Sequence, residues 1–152
     1  MQEENGIDLS ARMALKTASG HRFHYARYYD SPGYFFDASA GRRFDLGDGQ
    51  TSLRLALSTG FLCWQTDVRR QNDAMMYGAH ASVSSGRFSL SAEYGGYVGW
   101  EKYGDAPMTL KTCLSYGFGN LKVKLQYQAG FADWPFHQIR FGAEYSFSFR
   151  KD

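Results

Sequence analysis

Two cysteines, three prolines and no long apolar run set the first limits on this chain of 152 residues. Cys63 and Cys113 are too few and too far apart for a disulfide scaffold or a zinc site. No stretch approaches the roughly 20 apolar residues that a membrane-crossing helix requires. The net charge is only +2, and the 17 Lys and Arg are scattered rather than striped, which argues against a nucleic-acid partner. No charged n-region followed by an apolar h-region opens the chain, so any secretory signal is expected to be removed or absent from it. Helical periodicity is missing as well. What remains is one domain's worth of chain, 1–152, without a linker-like segment.

What is present is aromatic and alternating. The chain holds 11 Tyr, 12 Phe and 3 Trp beside 17 Gly. Period-two patterning fills nearly the whole length, and residues 7–17 set the scheme. There Ile7, Leu9, Ala11, Met13 and Leu15 oppose Asp8, Ser10, Arg12 and Lys16. The same alternation continues in 21–29, 34–46, 51–64, 74–84, 88–100, 108–118, 121–131 and 139–149. Glycine-bearing tight turns are expected at Ser19-Gly20, Gly47-Asp48-Gly49, Ser85-Gly86 and Gly119-Asn120. Wider connections are expected at 30–33, 65–73, 101–107 and 133–136. Hairpins with tight turns at one end and wide loops at the other predict an all-β, up-and-down antiparallel sheet. Closure into a barrel would remove its exposed edges.

Alternation alone does not say which face meets solvent, but three features do. The polar face is rich in small residues, among them Ser39, Gly41, Ser58, Gly60, Gly78, Ser82, Ser91, Gly95, Ser115 and Gly117, which suit a narrow interior. Several segments run to 11–13 residues, enough for a tilted strand to cross a bilayer. Aromatics crowd both ends of the apolar face. Phe44, Phe88, Tyr116, Phe118, Phe147 and Phe149 lie near tight turns or the terminus, and Phe36, Phe61, Tyr77, Trp100 and Phe131 near the loops. The expectation is a transmembrane barrel with its apolar face toward lipid.

The last strand, Arg140-Phe141-Gly142-Ala143-Glu144-Tyr145-Ser146-Phe147, carries a family resemblance. The chain resembles the small outer-membrane β-barrel proteins of Gram-negative bacteria over nearly its whole length. In that family Arg140, Gly142, Tyr145 and Phe147 match a C-terminal assembly signal. The resemblance implies recognition of this strand by the barrel-assembly machinery, and contact with outer-membrane lipid and lipopolysaccharide. It also implies a bacterial outer-membrane location, with tight turns on the periplasmic side. The match departs at its end, where Arg150-Lys151-Asp152 follow Phe149. Counting back gives an eight-strand core over 21–149, with 7–17 as a ninth segment. Bacterial barrels of this type have even counts, so 7–17 would need a tenth partner or another role.

The interior charges have a plain reading. Asp37, Asp45, Glu93 and Glu144 share the polar face with Arg12, Arg43, Arg54, His80, Lys111, Lys122, Lys124 and Arg140. A barrel of eight strands is filled by its own side chains, so a paired network is expected rather than a pore. Glu144 should meet Lys124, and Glu93 should meet His80 and Lys111. Cys63 faces outward and Cys113 inward, so they should not pair. Arg69 and Arg70 belong to a short polar loop that either stays solvated or binds lipopolysaccharide phosphate.

Catalysis has one weak candidate. His137 sits at the loop end of the last strand near Asp133, on a rim shared with Asp30, Ser31, Asp73 and Asp105. No spacing forms a nucleophile, base and orienter, and no metal or cofactor motif occurs. Three classes of function follow. The first is an integral outer-membrane barrel with a filled interior and a structural or surface-interaction role, its protein partner unspecified. The second is a small outer-membrane enzyme acting on lipid A or phospholipid, with enzymatic activity left open. The third is a soluble lipocalin-like carrier.

Overall fold

The computed structural model describes residues 6–17, 32–47, 49–67, 70–100 and 104–147; for 65–67 and 70–72 only the backbone is described. Among the described residues there are eight strands: β1 (Ile7–Lys16), β2 (Gly33–Asp45), β3 (Thr51–Asp67), β4 (Arg70–Ser85), β5 (Phe88–Gly99), β6 (Met108–Phe118), β7 (Leu121–Phe131) and β8 (Phe136–Tyr145). They form one antiparallel sheet in sequence order, with β1 and β8 at its two edges. Among the described residues there is no helix. The alternation gives every strand one apolar and one polar face, and the connections join consecutive strands as antiparallel neighbours.

The turns explain the tight connections. Ser85 pairs with Phe88 and Phe118 with Leu121, leaving two-residue loops that start with Gly86 and Gly119. Their φ angles are +54° and +59°, the left-handed value that a type II′ hairpin turn needs at its first central residue. Gly47 and Gly49, at +78° and +66°, shape the β2–β3 turn in the same way.

Two expected boundaries change. The run 7–17, expected as an extra ninth segment, contains the first of the eight strands. Lys16 pairs directly with Gly33, and Ile7 with Arg42, so nothing stands between β1 and β2 in the sheet. The strand expected at 21–29 and the turn at Ser19-Gly20 lie outside the described residues. The wide connection expected at 65–73 is also shorter. Pairing continues to Asp67 and Arg70 across a register shift, giving strands of 17 and 16 residues. With β1 first, both Ile7 and Tyr145 lie at the tight-turn end of the sheet.

Exposure runs opposite to that of an ordinary half-buried sheet. On β2, Phe35, Asp37, Ser39 and Gly41 are sheltered while Tyr34, Phe36, Ala38 and Ala40 are exposed. On β3, Ser52, Arg54, Ala56 and Ser58 are sheltered while Leu55 and Leu57 stand out. The extremes make the inversion plain: Ser115 is 4% exposed and Leu57 69%. Fully buried apolar residues are confined to Leu62, Cys63, Ala74 and Ala129 among the described residues. Among the described residues no apolar core lies beneath the sheet. Strand β8 is exposed along its whole length, as befits an edge with no neighbour on one side.

Candidate functional site

The sheltered polar face is the candidate site. Side chains from β1 to β7 line one cavity of about 570 Å³, among them Arg12, Asp37, Ser58, His80, Glu93 and Lys111. Small residues at Ser39, Ser58, Gly78 and Gly95 leave the room that the longer charged side chains occupy.

The charges pair strand to strand. Arg12 lies directly opposite Asp37, and its Nε and Nη2 donate to Asp37 Oδ2 at 3.0 and 2.8 Å. Glu93 lies opposite both His80 on β4 and Lys111 on β6. Its Oε2 is ion-paired with Lys111 Nζ, and its Oε1 is 3.7 Å from His80 Nδ1. Lys124 Nζ donates to Glu144 Oε2 at 2.6 Å. That pair is diagonal rather than opposed, because Lys124 faces Gly142 and Glu144 faces Lys122. Arg43 is 3.4 Å from Asp45 two residues on, and Arg140 donates to Gln138 at 2.7 Å.

One pair reaches across an intervening strand. Arg54 on β3 donates to Asp8 on β1, passing over Gly41 of β2. A Cβ placed on Gly41 would stand 3.0 Å from the Arg54 guanidinium and 3.0 Å from Ala56 Cβ. Glycine is what lets this ion pair cross. The role of Asp8 escaped the sequence reading, although period two had placed it on the polar face.

The polar face changes character toward the wide loops. Phe35 takes the Arg12 guanidinium 5.1 Å above its ring, and Lys16 Nζ lies 5.7 Å from the Trp64 ring. Leu62 and Ala74, on the same face, are the deepest apolar residues there, at 5% and 1% exposed. This face is therefore charged in its middle and apolar and aromatic toward the loops. The residues fixing this, Phe35, Leu62, Trp64 and Ala74, also escaped the sequence reading.

On the outer face the aromatics form groups at both ends. Near the tight turns Phe88 and Tyr116 have ring centroids 4.4 Å apart, Tyr116 and Phe118 4.5 Å, and Tyr145 and Phe147 4.8 Å. Near the loops Phe61 lies 5.2 Å from Trp100 and 5.8 Å from Phe36.

The catalytic candidate is differently engaged. His137 is on the outer face of β8, and its Nδ1 is 2.7 Å from the Tyr127 hydroxyl. Asp133 accepts a hydrogen bond from the Ala106 backbone N–H, tying two loops together. The two side chains are thus held by other partners and form no dyad. Asp30, Ser31, Arg69 and the side chain of Arg70 lie outside the described residues. Of the assembly-signal residues, Arg140 and Gly142 belong to the polar face and Tyr145 and Phe147 to the outer side, all on or just beyond the edge strand. Cys113 lies on the polar face, opposite Ser91 and Gln126, and Cys63 on the other face, opposite Tyr34 and Asp73. In comparisons with known proteins, no family model, no curated protein and no solved structure matches the chain.

Proposed function

We propose that this chain is an integral outer-membrane β-barrel protein of the Gram-negative type, closed by pairing of β1 with β8. Its role is structural or surface-interacting rather than enzymatic, with an interior braced by ion pairs. The observation that carries this reading is the inverted exposure: the small residues of one face, with Asp37 among them, are sheltered and its charges pair strand to strand, while large apolar side chains stand out on the other face. In water such a face would be an aggregation surface. In a bilayer it is the surface that lipid covers, and the polar groups pair inside. Strands of 10 to 17 residues suit the roughly 9 to 11 that a tilted crossing needs. The aromatic groups at both ends fit two membrane interfaces. The lipocalin alternative needs the opposite arrangement, with apolar residues lining the interior. Periplasmic tight turns, docking of β8 on the assembly machinery and contact with lipopolysaccharide follow from the family resemblance.

Hydrocarbon tolerates no open sheet edge, so the reading requires closure. Following the register from strand to strand, Ile7 stands level with Ile139. A barrel of eight strands tilted by about 36° has a shear of about 8. Displacing β8 by that amount along β1 brings Ala143 opposite Ala11 and keeps the apolar sides together. With Cys63 and Cys113 replaced by Ser, Ala11→Cys with Ala143→Cys should cross-link in the folded protein. Tyr145→Cys with Ala11→Cys reports a shear of about 10 instead. Fractionation should place the full chain in detergent-extracted outer membranes, with a heat-dependent shift on gels. A soluble chain, or a folded one in which neither pair links, defeats the proposal.

A further inference from the structure

The apolar face carries one cation among its described side chains. Arg42 projects from β2 between Ile7 of β1 and Leu55 of β3, and its guanidinium lies 5.2 Å from the centroid of the Phe44 ring. The neighbouring carboxylates Asp8, Asp37 and Asp45 belong to the other face, where Arg54, Arg12 and Arg43 answer them. Beside Arg42 lies a groove of about 590 Å³, within the range of small-molecule sites. Ala40, Ala79, Ala81 and Ala92 floor it, and Leu55, Leu57, Tyr94 and Leu110 rise between them as walls, leaving an oblique path past Leu55 and over Ala81 and Ala92. It crosses from β2 to β6, four strand spacings or about 19 Å. Laid across strands tilted by about 36–45°, that length descends about 11–13 Å, most of the roughly 15 Å depth of one leaflet's hydrocarbon. Arg42 is three residues from the tight-turn end of β2, so it occupies the headgroup end.

We infer that Arg42 and the alanine-floored groove bind one anionic phospholipid of the leaflet on the tight-turn side. The phosphodiester rests on the guanidinium and one acyl chain lies in the groove. This inference rests on the membrane-barrel reading. Arg is the side chain suited to it: its aliphatic stem lies along apolar surface while its planar fork grips phosphate oxygens in pairs. An anionic headgroup also neutralises a cation that, among the described residues, no carboxylate on its face answers. A second copy packed on the same surface would bury that cation against apolar side chains, which is costly.

The full chain, refolded in detergent, is mixed with phosphatidylglycerol or phosphatidylcholine and examined by native mass spectrometry. The wild type should retain one phosphatidylglycerol and markedly less phosphatidylcholine. Arg42→Gln should weaken retention about tenfold, the effect of losing one or two charge-assisted hydrogen bonds. Arg42→Lys should fall between, and Ala81→Phe should abolish retention of both lipids by filling the groove. Folding of each variant is read separately from the heat-dependent gel shift. Folded Arg42→Gln that retains phosphatidylglycerol like the wild type overturns the site while leaving the barrel reading intact. Equal retention of both lipids by the wild type, or a dimer in place of the lipid adduct, overturns it too. A chain that folds in water without detergent removes both readings together.

Discussion

At the scale of the residue, period two assigns faces well and partners poorly. It puts Glu93, His80 and Lys111 on one side, and the structure joins them around a single carboxylate. It also makes Arg42 visible in principle, because adjacent Arg42 and Arg43 must point to opposite faces. A reading that looks for charges on the polar face passes over an Arg that lies on the other. The crossing pair Asp8–Arg54 was harder to foresee, since it depends on the empty place above Gly41. The Glu93 cluster gives the residue-scale prediction. Glu93→Gln leaves Lys111 without its counter-charge on a sheltered face and should lower stability by about 1 to 3 kcal/mol. Glu93→Gln combined with Lys111→Gln should recover much of that loss, because neither position then holds an unanswered charge. Urea titrations of the refolded protein measure both. Additive losses would mean that the two side chains do not interact in the membrane-embedded state.

At the scale of the element, strand existence was legible and strand neighbours were not, the run 21–29 lying outside the described residues. Alternation in 21–29 resembles that in 7–17, yet it records only which side chains share a face. Neighbours are decided by closing the chain, and Lys16 closes directly on Gly33. The hairpin of β3 and β4 likewise runs past its apolar stretch, because backbone pairing continues where the side-chain pattern turns polar at Gln65-Thr66-Asp67. The tight turns were legible because their chemistry is local. At Gly86 and Gly119 an added Cβ meets nothing within 4 Å, so the cost of substitution lies in the backbone alone. Gly119→Ala should therefore cost about 1 to 2 kcal/mol, the penalty of a left-handed conformation for an L-residue. Gly119→Asn should cost less, since Asn tolerates that region. Equal losses for the two would point to a turn that changes type on substitution.

At the scale of the whole molecule, the question is what covers the apolar face. Leu57, Leu90, Leu125 and Phe141 all stand outward, with Phe141 84% exposed. Under the proposal above, lipid covers it. That answer makes the two faces fail differently when the same charge is introduced. Leu125 is at the centre of β7 on the outer face, so Leu125→Arg places a guanidinium near the bilayer midplane. The expected cost is about 2 to 4 kcal/mol, seen as a lower yield of folded protein in vesicles. The cost should shrink in thinner bilayers, where the same side chain reaches the headgroups sooner. Ser58→Arg introduces its charge among Arg12, Asp37 and His80 on the sheltered face, where it overfills the space that the small residues leave. Its loss should not depend on bilayer thickness. Folding into vesicles of short-chain and long-chain phosphatidylcholine compares the two directly. If Leu125→Arg were as indifferent to thickness as Ser58→Arg, something other than lipid would be covering the outer face.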